Sequence, residues 1–208
     1  MRYIGSSRRI KRPASRAIRC FTLLFSFIAV LFLSGLLPVV RFTEERIDIT
    51  VYPDHVRVRG TYVYDNPLPF PVIQGLSIPL PVDRDNPAPV LIRITKLMPV
   101  HEPFPVRYLL GAYRCEIPVP AHSDVMVMVE YMQYAPNGKA HYLLTTTRPW
   151  RRPIERGAFR LIPEGVEIMN SNYLLIPLDA GVLFFQREDF MPTEDWDFSW
   201  RVIEYDKK

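Results

Sequence analysis

Within YLLTTTRPWRRPIERGAF, residues 142 to 159, Arg148, Arg151, Arg152 and Arg156 crowd around Trp150. A flat aromatic ring flanked by guanidinium groups can take an anionic or sugar-like ligand by stacking and charge. The same set could hold a domain against anionic lipid head groups or against a partner's acidic face. A plainer arrangement is a proline-braced loop, with Trp150 packed on a domain rim and the arginines solvated. These five residues are the candidate ligand or partner contact. A second dense stretch, EDFMPTEDWDFSW at 188 to 200, holds five acids and four aromatics. Its alternating half reads as a strand and its acidic half as a surface loop. That loop could meet the basic one or a neighbouring molecule.

The rest of the chain offers little chemistry. It has no G-x-S-x-G elbow, no H-E-x-x-H, no phosphate-binding glycine loop and no C-x-x-C. His55, His101, His122 and His141 stand apart in sequence, and His122-Ser123-Asp124 reads as a polar turn before a strand. DRDN at 83 to 86 opens like a calcium loop but lacks the glycine and the closing glutamate, so a turn between strands accounts for it. Glycoside chemistry would need two acids facing each other across a groove. Glu130, Glu155, Glu164, Glu167 and Glu188 qualify by type, and nothing in the sequence selects a pair. No catalytic residue, no metal ligand set and no cofactor is expected.

The elements that would position these residues are strands. Nineteen of the 21 prolines fall after residue 40, and no uninterrupted stretch of a dozen residues with a 3.6-residue apolar rhythm survives between them. Short period-two runs survive between them. In HVRVRGTYVY, Val56, Val58, Gly60, Tyr62 and Tyr64 share one face, while Arg57, Arg59 and Thr61 share the other. VLIRITKL, DVMVMVEYMQY, HYLLTTT and WDFSWRV alternate in the same way, the last with Trp196, Phe198, Trp200 and Val202 on one face. Further segments near 46–52, 74–80, 106–117, 159–162, 166–170, 173–178 and 182–187 bring the count to about ten strands. Asn137–Gly138 predicts a tight hairpin joining a strand at 124–134 to one at 140–147. The pattern predicts a mainly β domain, an antiparallel β-sandwich that is immunoglobulin-like in the broad sense. Cys115 is expected to point into its core as a small apolar residue.

Ahead of the strands, residues 20 to 40, CFTLLFSFIAVLFLSGLLPVV, carry no charge. Residues 1 to 19 carry seven arginines and lysines and no acid. As a helix, that uncharged run would extend about 31 Å, close to the roughly 30 Å hydrocarbon core of a bilayer. Basic residues stay on the cytoplasmic side. The expected layout is a basic cytoplasmic tail at 1–19, a single-pass signal-anchor helix at 20–40 and an extracytoplasmic domain at 41–208. Val39 to Glu45 is expected to serve as a short tether. Cleavage is disfavoured by the long basic region and by the missing small-x-small pattern. Without the seven tail charges the formal charge is 19 positive against 22 negative, or −3, so the basic pI belongs to the tail. Nucleic acid is not an expected partner. The expected partners are the lipid bilayer and other membrane or envelope proteins, with no small-molecule cofactor. The expected location is the cell (inner) membrane, with a periplasmic or extracellular domain. The expected role is contact, as an accessory or assembly subunit of a cell-envelope or membrane complex. The alternative is a domain that binds or hydrolyses an envelope glycan through the Trp150 loop.

Overall fold

The computed structural model describes residues 39–83 and 86–204. The expected tail at 1–19 and nearly all of the expected membrane helix at 20–40 lie outside the described residues. Among the described residues no helix is long and apolar enough to cross a membrane.

The described chain is mainly β. Its strands are β1 (Arg41–Val51), β2 (His55–Asn66), β3 (Val72–Pro79), β4 (Leu91–Met98), β5 (Glu102–Pro103), β6 (Arg107–Leu109) and β7 (Ala112–Val119). They continue with β8 (Ser123–Tyr134), β9 (Lys139–Tyr142), β10 (Ile154–Pro163), β11 (Val166–Ser171), β12 (Ile176–Pro177), β13 (Leu183–Phe190) and β14 (Trp196–Val202). An eight-stranded sheet has the order β12-β13-β10-β1-β2-β8-β4-β5. Two three-stranded sheets have the orders β11-β14-β9 and β3-β7-β6. One hydrophobic core joins all three. Ile47, Val58, Val127 and Phe159 come from the large sheet, Ile117 and Val119 from β7, and Trp196 and Phe198 from β14. Cys115 of β7 lies in that core, where burial pushes its thiol up to about 11.

Three expectations need correction. First, the sheets are not wholly antiparallel, because β1 pairs with β10 in parallel while the other described pairings are antiparallel. β2 occupies one edge of β1, and the chain reaches the other edge only after passing through the small sheets, so it can enter in the same direction. Second, the Asn137–Gly138 turn forms but makes no hairpin. Both edges of β8 are already taken by β2 and β4, so the chain crosses to the second sheet, where β9 pairs with β14. Gly138 has φ of +64°, and its carbonyl accepts from the Trp200 N–H at 2.9 Å. A Cβ there would come within 2.6 Å of the Trp200 carbonyl oxygen, so glycine fits where another residue would collide. Third, Thr145 to Thr147 do not end a strand. Leu144–Trp150 forms a 3-10 helix, in which the Thr146 and Thr147 hydroxyls bond back to the carbonyls of Leu143 and Leu144.

Nor is the segment from Val39 to Glu45 a tether. Val40 is buried in the core, and Arg41 already pairs with Asp65 of β2. A register shift between Phe42 and Glu44 places Glu45 in phase with Ile47, Ile49 and Val51, facing inward.

Proline supplies no N–H, so the proline-rich loops are tied down by buried side-chain amides. Asn66 Nδ2 donates to the carbonyls of Phe70 and Pro120, both at 2.9 Å, while its oxygen accepts from the Leu68 N–H. Gln133 Nε2 does the same for Pro81 and Pro87.

Candidate functional site

The arginine–tryptophan stretch does not converge on one site. Trp150 ends the 3-10 helix and packs at the edge of the core, its ring centroid 5.8 Å from Phe42 and 5.5 Å from Tyr64. Arg148 turns the other way, donating to the carbonyls of Pro192 and Thr193, and the Thr145 N–H donates to Asp195 Oδ1 at 2.8 Å. The basic and acidic loops therefore meet each other, through backbone groups on one side or the other of each bond. Arg151 and Arg152 are exposed, and Arg151 has φ of +56°. Arg156 lies on the outer face of β10, with a guanidinium nitrogen 3.9 Å from Glu44.

The carboxylates separate as well. Glu167 pairs with Arg201 at 2.5 Å, and Glu155, Glu164 and Glu188 stand at the surface. Glu130 is buried beneath arginines on the outer face of the large sheet. His55 bonds Asp54 at 2.7 Å and stacks on Tyr52, while His141 lies 3.8 Å from Asp83. Asp83 accepts from the backbone and side-chain N–H groups of Asn86, which ties the two ends of the DRDN stretch to each other. Among the described residues no three His, Cys, Asp or Glu side chains gather as metal ligands.

One ionisable residue inside the core lies in the segment expected as a tether and is placed by its period. Glu45 Oε1 accepts from the Tyr142 hydroxyl at 3.0 Å, and the Tyr142 and Tyr62 hydroxyls lie 2.7 Å apart. Glu45 Oε2 has no hydrogen-bond partner among the described residues. Burial pushes the Glu45 carboxyl from 4.5 up to about 8, with the Tyr142 bond opposing part of that rise. It is therefore mainly neutral at pH 7. Tyr62 and Tyr142 are pushed well above the ordinary tyrosine value by the same burial, so both remain hydroxyl donors. Gly60 makes the arrangement possible, because the Tyr62 ring lies where a Cβ on residue 60 would stand. The G-x-Y-x-Y spacing in β2 thus serves the interior.

An exposed apolar tip stands on the described surface at the β6–β7 hairpin. Tyr108, Leu109 and Leu110 are 62%, 52% and 84% exposed, with the Tyr108 ring resting against Tyr113 at 4.9 Å. Leu110 has φ of +52°, an uncommon conformation for a non-glycine residue, and it carries the leucine at the turn. Exposed Arg107 and Arg114 pair opposite one another in the hairpin ladder just behind the tip. Contiguous exposed apolar side chains with a polar border mark docking surfaces more often than isolated ones do. Sequence alternation alone could not separate this hairpin from an ordinary 106–117 strand.

No family model matches the chain, and no curated protein matches it by sequence. Solved structures do resemble it. A candidate nutrient binding protein from Legionella pneumophila aligns with a TM-score of 0.60 at 14% identity, over 79% of this chain and 67% of that one. An M1 zinc metallopeptidase from Deinococcus radiodurans aligns with a TM-score of 0.43 at 10% identity, over 77% of this chain and 42% of its own length. The first likeness is one of fold alone, and the second carries no argument.

Proposed function

We infer that the chain is a membrane-anchored, non-catalytic contact protein, an accessory or assembly subunit of a cell-envelope or membrane complex. In this reading residues 20–40 hold it in the membrane, and residues 41–208 form a β-sandwich-like domain on the outer side. The observation that carries the contact role is the β6–β7 tip, where Tyr108, Leu109 and Leu110 stand exposed together. Burying one large apolar side chain against a partner is worth roughly 1.5–3 kcal/mol, so the tip can supply a docking anchor by itself. The seven basic and no acidic residues ahead of the uncharged 21-residue run support the anchor.

The test is a mild-detergent pull-down of the full-length chain. The wild type is expected to retain a stoichiometric membrane protein through washing, and Leu109→Asp/Leu110→Asp to lose it. Wild-type protein migrating alone, or a partner held equally well by the variant, would contradict the reading. A glycan-binding role draws its support from elsewhere than Trp150. A cleft of about 360 Å³ whose lining includes His141, Asn170, Asn172 and Asp197 offers hydrogen-bonding groups suited to hydroxyls.

A further inference from the structure

The outer face of the large sheet gathers residues that are far apart in sequence. Register places Arg59 of β2 directly opposite Glu130 of β8, and Glu130 directly opposite Arg93 of β4. Arg57 sits two residues before Arg59 on the same face of β2. The three guanidinium groups thus surround one carboxylate. Arg59 bonds Glu130 Oε1 through Nε at 3.0 Å, whereas Arg57 and Arg93 stay at 3.7 and 3.9 Å from the same carboxylate.

Those distances are too long for hydrogen bonds, so Arg57 and Arg93 feel the charge of Glu130 without spending their donors on it. Nearby acids do not restore the balance. Asp48 is held by Arg160 through two bonds of 2.6 Å, and Asp54 is engaged by His55. Two positive charges remain unmatched beside a concave pocket of about 300 Å³. Arg57, Arg93 and Glu130 line it, together with Met132 and the stacked rings of Tyr52 and His55, whose centroids are 4.4 Å apart. The register row Arg160, Asp48, Arg59, Glu130 and Arg93 alternates in sign, and Arg57 adds a further base beside it. Three bases thus share Glu130 and open onto a cavity with an apolar wall.

We propose that this pocket binds a phosphate monoester, with the phosphate between Arg57 and Arg93 and the organic portion against Met132 and the Tyr52–His55 rings. A phosphate monoester carries about −1.5 to −2 at neutral pH, which matches the formal excess of two positive charges that three arginines and one glutamate leave, where a single carboxylate would match one. Its oxygens accept several N–H bonds at once, as the planar guanidinium fork requires. Glu130 holds Arg59 at the back of the site and draws the Arg57 and Arg93 guanidiniums towards it. The monoester could belong to a soluble ester or to a lipid head group. The site lies on a different sheet from the β6–β7 tip, so it stands or falls separately from the proposed docking role.

Two probes separate the sources. Phenyl phosphate binding to the full-length chain is measured by calorimetry, and vesicles containing phosphatidic acid are compared with pure phosphatidylcholine vesicles by flotation. Binding of phenyl phosphate that weakens about tenfold or more in Arg57→Ala and in Arg93→Ala assigns a soluble ester. Binding of phosphatidic acid vesicles above the phosphatidylcholine background, with the same loss, assigns a head group. Arg201→Ala, whose guanidinium pairs with Glu167 on another sheet, is expected to leave either affinity unchanged. Both side chains to be removed are exposed, so thermal melts of the two alanine variants are expected to match the wild type. No binding to either probe, or affinities within twofold of wild type in both variants, would overturn the proposal.

Discussion

Raising the pH from about 5 to about 9 should lower the thermal midpoint of the wild-type protein, and Glu45→Gln should remove most of that loss. The folded protein holds the Glu45 proton up to about pH 8, whereas the unfolded chain releases it near 4.5. Between those values the native state binds more protons than the unfolded state, so stability falls as pH rises through that window and levels off above it. The sign is the reverse of the familiar salt-bridged carboxylate, whose stabilisation is lost towards acid. The gap between 4.5 and about 8 sets an upper bound of roughly 5 kcal/mol on the loss. At alkaline pH a carboxylate must either be ionised among Tyr62, Tyr64 and Tyr142 or hold its proton at a cost. The amide in Glu45→Gln avoids that choice and can still accept from the Tyr142 hydroxyl. A midpoint that stays flat or rises over this range would contradict the assignment. So would a Glu45→Gln variant with the wild-type slope.

Trp196→Ala is expected to cost about 3–5 kcal/mol in chemical denaturation, a large part of the roughly 5–15 kcal/mol available to a domain. Trp196 is fully buried, and its indole N–H donates to the Ser171 hydroxyl at 3.1 Å. Its ring meets Phe185 edge-on at 4.9 Å and Phe159 at 6.0 Å, so one side chain of β14 is clasped by two strands of the large sheet. Removing it would open a cavity where two sheets join, and the rigid rings around it could not collapse to fill the space. Trp150→Ala serves as the comparison, since that ring is only half-buried at the rim, and it should cost clearly less. A Trp196→Ala loss below about 1 kcal/mol, or one no larger than that of Trp150→Ala, would mean the stack does not hold the sheets together.

Strand positions were legible because alternation survives between prolines. β2, β8 and β14 lie where Val56 to Tyr64, Val125 to Tyr131 and Trp196 to Trp200 keep their period of two. Pairing was less legible, since it depends on which edges are still open when a segment arrives. Asn137–Gly138 has the local chemistry of a hairpin, yet β8 had no free edge to offer. The parallel partner of β1 lies more than a hundred residues away and leaves no local trace. HYLLTTT reads as a strand by its alternation, but the Thr146 and Thr147 hydroxyls bond backbone carbonyls within a 3-10 turn instead.

The sites divide on the same line. Trp150 was visible from composition, but composition could not tell that it would pack against Phe42 and Tyr64. Glu45 falls on the inward phase of β1, but the tether expected at Val39 to Glu45 left it outside the strand expected from residue 46. Glu130 could be named by type alone. Arg57, Arg59 and Arg93 reach it only through the register of three strands, which no sequence spacing encodes.

The contact role is tested most directly by replacing Leu110 with a photo-crosslinking amino acid in the full-length protein, in cells that make it. Illumination should join the chain to one membrane or envelope protein in a band of defined mass. The same crosslinker at exposed Glu164, away from the tip, should give no such band. Equal labelling from both positions, or none from Leu110, would contradict the reading of the β6–β7 hairpin as the docking element.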